Sequence, residues 1–528
     1  MALANKSPGR YINRRERRRP ARLGRAVSTS IPSPVGGWNA RDSKADMDPQ
    51  DAVALDNFFP GTSYVQTRAG YSQWSTGYPD EIQSIFSYAS GATSKLFGVS
   101  NGGIYDATAG GAVGAAAVTG LANSKFQYIN ITTSAGGFIM CVNGADPLQY
   151  FDGTTWTADG GTYSITGIAT TSIIGINLFK NRVWLIPTAT LKAWYLPTSS
   201  IQGAAAALDL SSIAQHGGYL MAMATWTIDS GYGVDDLAVF ITSEGEVIVY
   251  RGTDPTSATT WALVGVWWLG SPVGRRCYVK YVGDVLVICQ DGVYPLSQAL
   301  QSDRINQKVA ITDKIQFAMS TAVSVYGGNF GWQLLPFPQE NMLFLNVPVA
   351  VGIQEQYVMN TITRQWCRFT GWPANCWELY DNNPYFGAYT YIGKAWSTMA
   401  DAGQNIESYC LQAFNYFSRP GVQKRFTMMR PTFQSSGEPT AQANMNTDFN
   451  EDDTTATLSF SPPATVLWDT ALWDAITSLW GGAQAVFREW QGTTGVGYCG
   501  APQLTVASSE ITVYWMSTDV VYEEGAIL

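Results

Sequence analysis

The chain has 528 residues, of which 13% are aromatic and 14% charged, with 52 glycines and 19 tryptophans. Such a composition favours strands and tight turns over helices, and it excludes a chain that is disordered throughout. The net charge of −9 combines a basic start with an acidic remainder, because residues 1–26 hold nine basic residues and one acidic residue. The rest of the chain holds 23 basic and 40 acidic residues.

Residues 1–35 predict a basic, extended arm, rich in arginine and then in serine and proline, that supplies no core. Arginine-rich segments bind phosphates through charge and counterion release, without reading sequence. Two interpretations remain open: contact with DNA or acidic neighbouring subunits, or a disordered solubilising tail. We expect the propeller predicted below to stay folded without residues 1–26. The interface candidates in the arm are Arg14, Arg15, Arg17, Arg18, Arg19, Arg22 and Arg25.

Residues 36–80 contain turn signals between short apolar patches, and residues 81–423 repeat one pattern. In the repeat, a short β-rich run with an aromatic residue is followed by a Gly, Asp, Asn or Thr turn. The marker aromatics, about 40–60 residues apart, suit four-stranded blades of a β-propeller with about six or seven blades. A string of β-sandwiches is the alternative, but the repeats are shorter than the ~100 residues of a sandwich. The markers are Tyr105, Tyr150, Tyr195, Tyr250, Tyr294, Tyr357 and Trp396.

Residues 424–528 predict a small β-sandwich-like C-terminal domain packed on the propeller, so the expected fold class is all-β. The segment Ile511–Met516 alternates with the period of two that is typical of a strand. Upstream lies a tryptophan ladder with one tryptophan in each of three Leu-Trp pairs. Its members are Trp468, Trp473 and Trp480.

The sequence offers little catalytic chemistry. His216 is the single histidine and stands beside a glycine pair, which favours a loop histidine over a member of a hydrolase triad. The seven cysteines are scattered without a CxxC pair, so we expect neither a disulfide framework nor a zinc site. Asp46, Asp48 and Asp51 lack the glycine and the distal glutamate of a calcium loop. We therefore expect no enzyme activity, no cofactor and no metal.

Residues Asp152–Trp156 are similar to the Asp-box hairpin of sialidase propellers, with spacing one residue short. A hairpin whose tryptophan packs between blades explains this segment without catalysis. Carboxylate pairs for glycoside hydrolysis can lie far apart in a sequence. A cell-surface propeller that binds carbohydrate or cleaves glycosides therefore remains the alternative function.

Several segments, in order along the chain, resemble one family. They are "GGWNARDSKADMDPQDAVALDNFFPGTSYVQTRAGY" (36–71), "YVMNTITRQWCRFTGW" (357–372), "RFTMMRPTF" (425–433), "LWDTALWDAITSLWGG" (467–482) and "STDVVYEEGAIL" (517–528). The family is the tail nozzle of short-tailed bacteriophages, also described as tail tubular protein B or packaged-DNA stabilisation protein. The arm before Gly36 is longer than this family's pattern, so no role carries over to it.

The resemblance implies a structural protein of the viral tail, assembled in the cytoplasm of the host bacterium. It implies a homohexameric ring below the portal, docked on an adaptor ring through residues 36–80. The further partners would be tail fibres or spikes, a needle or plug protein, and double-stranded DNA that passes through the lumen without sequence-specific binding. No apolar run reaches the ~20 residues of a membrane span. The docking candidates are Trp38, Arg41, Asp42, Phe58 and Phe59.

Overall fold

The computed structural model describes residues 26–229, 234–300, 309–451, 456–460 and 485–525. Strands dominate these residues, as the richness in glycine and aromatic residues predicts. Six strands precede the first blade: β1 (Ala26–Pro32), β2 (Gly37–Trp38), β3 (Asp51–Asp56), β4 (Phe58–Pro60), β5 (Val65–Thr67) and β6 (Gly70–Thr76).

The middle of the chain contains 29 described strands. The first fourteen are β7 (Ile82–Ser90), β8 (Thr93–Ser100), β9 (Gly103–Asp106), β10 (Gly111–Ala112), β11 (Gln127–Thr133), β12 (Gly136–Val142), β13 (Gln149–Phe151), β14 (Trp156–Ala158), β15 (Ile165–Thr166), β16 (Ile173–Phe179), β17 (Arg182–Pro187), β18 (Lys192–Tyr195), β19 (Gly203–Ala204) and β20 (Ala206–Asp209). The next fifteen are β21 (Leu220–Asp229), β22 (Val234–Thr242), β23 (Glu246–Gly252), β24 (Trp261–Trp268), β25 (Tyr278–Tyr281), β26 (Asp284–Cys289), β27 (Gly292–Pro295), β28 (Gln333–Phe337), β29 (Met342–Ala350), β30 (Ile353–Asn360), β31 (Trp366–Phe369), β32 (Cys376–Tyr380), β33 (Asn383–Gly387), β34 (Tyr391–Thr398) and β35 (Ile406–Gln412).

The C-terminal part and the helical segments complete the described elements. The last strands are β36 (Lys424–Ser435), β37 (Thr440–Thr447), β38 (Ala456–Thr457), β39 (Ala485–Arg488), β40 (Gln491–Gly497), β41 (Gly500–Ser508) and β42 (Val513–Glu524). The helices are α1 (Leu296–Ala299) and α2 (Gln316–Tyr326), with 3-10 turns at Thr170–Ser172, Asp313–Ile315 and Pro338–Glu340. None of the helices in the described part has the length and apolar composition that a membrane crossing requires.

A β-propeller forms the larger body, and its described strands make seven blades. The innermost strands are β7, β11, β16, β21, β25, β28 and β32; each packs on the next, and β32 packs on β7, which closes the ring. The blades are β7–β9, β11–β14, β16–β18 with β20, β21–β24, β25–β27, β28–β31 and β32–β34 with β6. The predicted all-β propeller is confirmed, and the count falls within the predicted six or seven.

The marker aromatics have a common place in these blades. Each of the seven lies on the third strand of its blade, from Tyr105 on β9 to Trp396 on β34. Tyr150 and Tyr294 are fully buried there. A large aromatic side chain at this position fills the space between neighbouring sheets. The spacing of these aromatics along the sequence therefore follows the length of one blade.

The last blade is closed by a strand from the other end of the chain. β6 pairs antiparallel with β34, and Tyr71 lies opposite Ala395. The Tyr71 hydroxyl hydrogen-bonds the Tyr391 hydroxyl at 2.9 Å, and the two rings stack. This pairing satisfies the backbone hydrogen-bonding groups at the edge of β34, which would otherwise be exposed.

The second body is a β-sandwich made from both ends of the chain. One sheet has the order β39-β36-β42-β5-β4, with β1 also on β42 and β40 also on β36. The other continues from the sixth blade in the order β31-β3-β35-β41-β37-β38. One hydrophobic cluster includes side chains from both sheets, among them Leu55, Phe433, Leu504 and Trp515.

Two predicted boundaries therefore need correction at the N-terminus. Residues 26–32 of the predicted arm form β1, paired with β42 along its whole length, and Ile31 is buried. Residues 36–80 do not form a separate segment, because β2–β5 belong to the sandwich sheets and β6 belongs to the propeller. β1, β3, β5 and β6 each pair with a strand more than 300 residues away, and no local pattern in the sequence shows such a partner.

Candidate functional site

The docking candidates divide into buried and exposed residues. Phe58 is fully buried against Trp515, and Phe59 packs on Phe369 with ring centroids 6.4 Å apart. Trp38 is also buried, with its ring 5.1 Å from Tyr357. The prediction that these three residues contact a partner is wrong, because their apolar side chains are buried in the chain's own core.

Arg41 and Asp42, by contrast, lie at the surface. Their side chains are 40% and 35% exposed, and Arg41 Nε lies 2.8 Å from Asp42 Oδ1. The Arg41 guanidinium also pairs with Asp313. Hydrogen bonds from Arg41 and then Asn39 lower the pKa of Asp42 to about 2, so the pair stays charged at neutral pH. These two residues border an open groove of about 590 Å³ that also contains Phe317.

A half-buried lysine, Lys314, fixes the base of this surface. Lys314 Nζ donates to Gly36 O at 2.6 Å, to Asp51 Oδ1 at 2.6 Å and to Gln365 Oε1 at 2.9 Å. These partners belong to the start of the segment, to β3 and to the sixth blade. The groove is therefore held on a rigid support rather than on a loose loop.

Arg68 joins the two bodies. Its side chain is 1% exposed and pairs with Asp401 at 2.8 and 2.5 Å. It also donates to Asn57 Oδ1 at 2.8 Å and to Thr370 O at 2.6 Å, and its guanidinium lies 4.7 Å from the centre of the Trp372 ring. Asn57 lies in the sandwich and Thr370 follows the sixth blade, so one cation connects the sandwich to the propeller.

A cavity of about 620 Å³ lies along the propeller axis, lined by residues of six innermost strands. Its single carboxylate among the described lining residues is Glu378, which accepts a hydrogen bond from Ser87 Oγ at 3.0 Å. Burial raises the pKa of Glu378 to about 7, against the opposing effect of hydrogen bonds from Tyr128 and Ser87. Glycoside hydrolysis uses two carboxyl groups, and this lining supplies one.

Arg276 connects the blades around this cavity. Its Nη2 donates to Gln83 O, Ser84 Oγ and Phe126 O at 3.0, 2.8 and 2.9 Å. Its Nη1 lies 3.4 Å from Gln333 Oε1. These acceptors belong to the first, second and sixth blades or their connections, while Arg276 leads into the fifth. The cation therefore has a structural role at the axis.

Strand β24 leaves an apolar edge at the rim of the fourth blade. It pairs with β23 on one side and is the terminal strand of its sheet in the part of the chain that the structure describes. Leu263, Val264 and Trp268 are 44%, 50% and 55% exposed. Residues 255–274 contain no charged residue. Soluble proteins rarely leave so apolar an edge uncovered, because it invites pairing with another chain.

The predicted loop histidine makes a local contact. His216 Nδ1 lies 3.0 Å from Glu246 Oε1, and the imidazole stacks on Trp268 with ring centroids 5.7 Å apart. Glu246 also accepts the backbone N–H groups of Gln215 and His216. These contacts hold the surface loop against the fourth blade.

The hairpin at Asp152 is built as predicted. Burial opposes ionisation of Asp152, but hydrogen bonds from Thr155 and Thr154 outweigh it and lower its pKa to about 2. The Trp156 ring lies 5.2 Å from Phe97 of the first blade and 5.0 Å from Phe151 of the second. The tryptophan therefore packs between blades, which confirms the structural interpretation of this motif.

The cysteines and acidic groups in the described part of the chain are the side-chain types from which a disulfide or a metal site would be built. All seven cysteines are buried and unpaired. No group of three or more His, Cys, Asp or Glu side chains within the described ranges is placed to hold a metal ion. The arm arginines from Arg14 to Arg25 and the ladder tryptophans Trp468, Trp473 and Trp480 lie outside the described residues.

Sequence reasoning missed three charged residues that organise the fold: Arg68, Arg276 and Glu378. Arg68 lies near the end of segment 36–71, and neither the turn signals nor the resemblance of this segment gives the arginine a role. Arg276 and Glu378 are charges next to apolar strand residues, and a charge in such a setting usually has a buried partner. A charged residue in an apolar stretch can thus be recognised from the sequence, but the residue that pairs with it cannot.

No protein-family model matches the chain, and no curated protein matches its sequence. Among solved structures, the chain is similar to BBS1N in complex with ARL6DN, at 9% identity over 63% of this chain and 99% of that chain, with a TM-score of 0.37. Raptor of Chaetomium thermophilum matches at 9% identity over 65% of this chain and 28% of that one, with a TM-score of 0.34. YCF48 from Cyanidioschyzon merolae matches at 10% identity over 62% and 98%, with a TM-score of 0.27. Similarity at this level carries no inference about activity or partners.

Proposed function

We propose that the chain is a subunit of a bacteriophage tail nozzle, a hexameric ring that extends the DNA channel below the portal and adaptor. The ring retains the packaged genome and conducts it during ejection. The protein acts through shape, assembly and charge in the virion. The ordered segments that resemble the nozzle family suggest this function, and the exposed apolar edge β24 is the structural observation that carries it.

The edge strand supports assembly for an energetic reason. Apolar area removed from water contributes roughly 25 cal/mol per Å², so covering Leu263, Val264 and Trp268 favours association. A strand without charges lacks the usual protection against pairing with other chains. In a ring, each subunit presents such a surface to a different surface of its neighbour, and every copy of the edge is covered.

The docking groove supports attachment to a second ring. Arg41 and Asp42 are accessible and stay charged, while Lys314 holds the groove on the propeller. Charges at the rim of an interface set orientation and association rate more than affinity. The groove is therefore the surface that we assign to the adaptor.

The charge of the chain supports passage of DNA. Outside residues 1–26, acidic residues outnumber basic ones by 40 to 23. A lumen lined by acidic groups repels phosphates and lets a duplex slide instead of adsorbing. Among the residues that the structure describes, the lining of the axial cavity contains one carboxylate, so it offers no acid pair to the alternative, a glycoside-cleaving propeller.

The proposal is tested first by the mass of the assembly. Sedimentation of the full chain should give a hexamer that binds a purified adaptor ring and releases no reducing sugar from surface oligosaccharides. The double variant Leu263→Lys, Val264→Lys should reduce the hexamer to smaller species. Val351→Lys, at a residue that is 84% exposed in a loop, is the matched control and should leave the hexamer intact.

Two outcomes would refute the proposal. One is a monomer at every concentration that can be reached, with no binding to the adaptor ring. The other is catalytic turnover of oligosaccharide that a single carboxylate replacement abolishes.

A further inference from the structure

The axial cavity has the opposite charge to the protein around it. Its described lining contains three cationic residues, Arg275, Arg276 and Lys280, and one acidic residue, Glu378. The chain outside residues 1–26 is strongly acidic. A local excess of positive charge inside an acidic protein attracts anions to that cavity.

Two of these cations are available to a ligand. The guanidinium of Arg276 already donates hydrogen bonds to backbone and side-chain oxygens of neighbouring blades. Arg275 makes one long contact, 3.5 Å from Nη1 to Asn143 O, and its side chain is exposed. Lys280 is exposed on β25 and has no ion-pair or hydrogen-bond partner among the residues that the structure describes.

The rest of the lining is largely apolar. Ile129, Val279, Pro336 and Leu379 come from four different innermost strands and keep part of their surface accessible. A cavity of about 620 Å³ falls in the ordinary range for small-molecule sites. Apolar walls with a few polar groups are the usual construction of such sites, in which the polar groups fix the orientation of the ligand.

We propose that the axial cavity binds a small amphipathic organic anion, namely a carboxylate with an apolar body. Arg275 and Lys280 bind the carboxylate, and the side chains of Ile129, Val279, Pro336 and Leu379 cover the apolar body. Arg276 keeps the cavity open by holding the blades together and adds to the positive field. This site is independent of the ring assembly proposed above, because it lies on the axis of one propeller.

The test uses the full chain and calorimetric titration with octanoate. We expect saturable binding, weakened at least tenfold in the double variant Arg275→Gln, Lys280→Gln. Lys192→Gln is the matched control, because Lys192 is an exposed lysine on the third blade outside the cavity, and it should leave the affinity unchanged. Octanamide, which lacks the charge, and inorganic phosphate, which lacks the apolar body, should each bind at least tenfold more weakly than octanoate.

Equal octanoate affinity in the wild type and the double variant would overturn the proposal, as would the absence of saturable binding to the wild type. Phosphate binding as tight as octanoate binding would overturn the assignment of an apolar body. Thermal unfolding of each variant checks that the propeller is intact. Sedimentation measures the assembly in a separate experiment. A failure of octanoate to bind can therefore be told apart from a failure of the nozzle proposal.

Discussion

The propeller and the sandwich are built from the chain in opposite ways. Six of the seven blades are each built from one continuous stretch of the chain, such as β21–β24. The sandwich combines strands from residues 26–67 with strands from residues 406–524. The propeller therefore depends on local pairing repeated around a ring, whereas the sandwich depends on pairing between distant segments. The closing strand β6 makes the two bodies interdependent.

The junction residue Arg68 gives the strongest test of this interdependence. Arg68→Met should lower the free energy of unfolding by about 4–5 kcal/mol, because it leaves the Asp401 carboxylate partly buried without its cation. Arg430→Met, which breaks a more exposed pair with Asp519 inside one sheet, should cost about 1 kcal/mol or less. Urea unfolding measures both. Equal effects would show that the junction contributes no more than a surface pair.

Two buried tryptophans compare the bodies directly. Trp515→Ala in the sandwich and Trp184→Ala in the third blade should each cost about 3–4 kcal/mol, because both side chains are fully buried. Since β6 couples the bodies, we expect each variant to unfold in a single calorimetric transition. Two separate transitions for Trp515→Ala would contradict that coupling.

The axial carboxyl predicts a pH dependence that belongs to the propeller. Burial raises the pKa of Glu378 from 4.5 to about 7, so the folded state holds the proton more tightly than the unfolded state. Stability from this group is therefore present at low pH and is lost as the pH rises from 4.5 through 7. The shift corresponds to about 3 kcal/mol.

Glu378→Gln should accordingly be more stable than the wild type at pH 8 and lose this advantage towards pH 5. Ser87, Tyr128 and Arg276 face the carboxyl and do not change in the variant. Glu438→Gln, at an exposed residue near the sandwich, is the control for general charge effects. Parallel pH profiles of urea unfolding for the wild type and Glu378→Gln would refute the assignment.

Truncation separates the arm from the sandwich and has the smallest expected effects. Removal of residues 1–32 should cost about 2 kcal/mol, because β1 and the buried Ile31 are lost from β42. Removal of residues 1–25 keeps β1 and should change the unfolding free energy by less than about 0.5 kcal/mol. Circular dichroism with thermal unfolding measures both. Similar losses in the two truncations would place a stabilising role in the arm.

The sequence predicted the propeller well because its signal is local. Tyr150 and Tyr250 could be recognised as repeat markers without knowing what they touch, and the structure places both on third strands. Phe58 and Phe59 show the limit of the same reasoning. Their apolar side chains look equally suited to an interface or a core, and only the pairing of β42 with β5 decides for the core.

The candidate sites were harder to predict for the same reason. Glu378 and Ser87 are 291 residues apart, and Arg276 and Ser84 are 192 apart. Contacts over such separations leave no periodicity in the sequence. Arg41 and Asp42 could be named because segment 36–71 resembles the nozzle family, and their exposure is compatible with that prediction.

The position of β1 and β42 at opposite ends of the chain has a consequence for synthesis. At roughly 5–20 residues per second, β42 emerges from the ribosome about 25–100 s after β1. Throughout that interval β5 lacks its partner β42, and for most of it β3 and β6 lack their partners β35 and β34, while whole blades can fold as they appear. The nascent N-terminus must therefore wait in an unpaired state, and the yield of native protein depends on how well the cell shields those strands until translation ends.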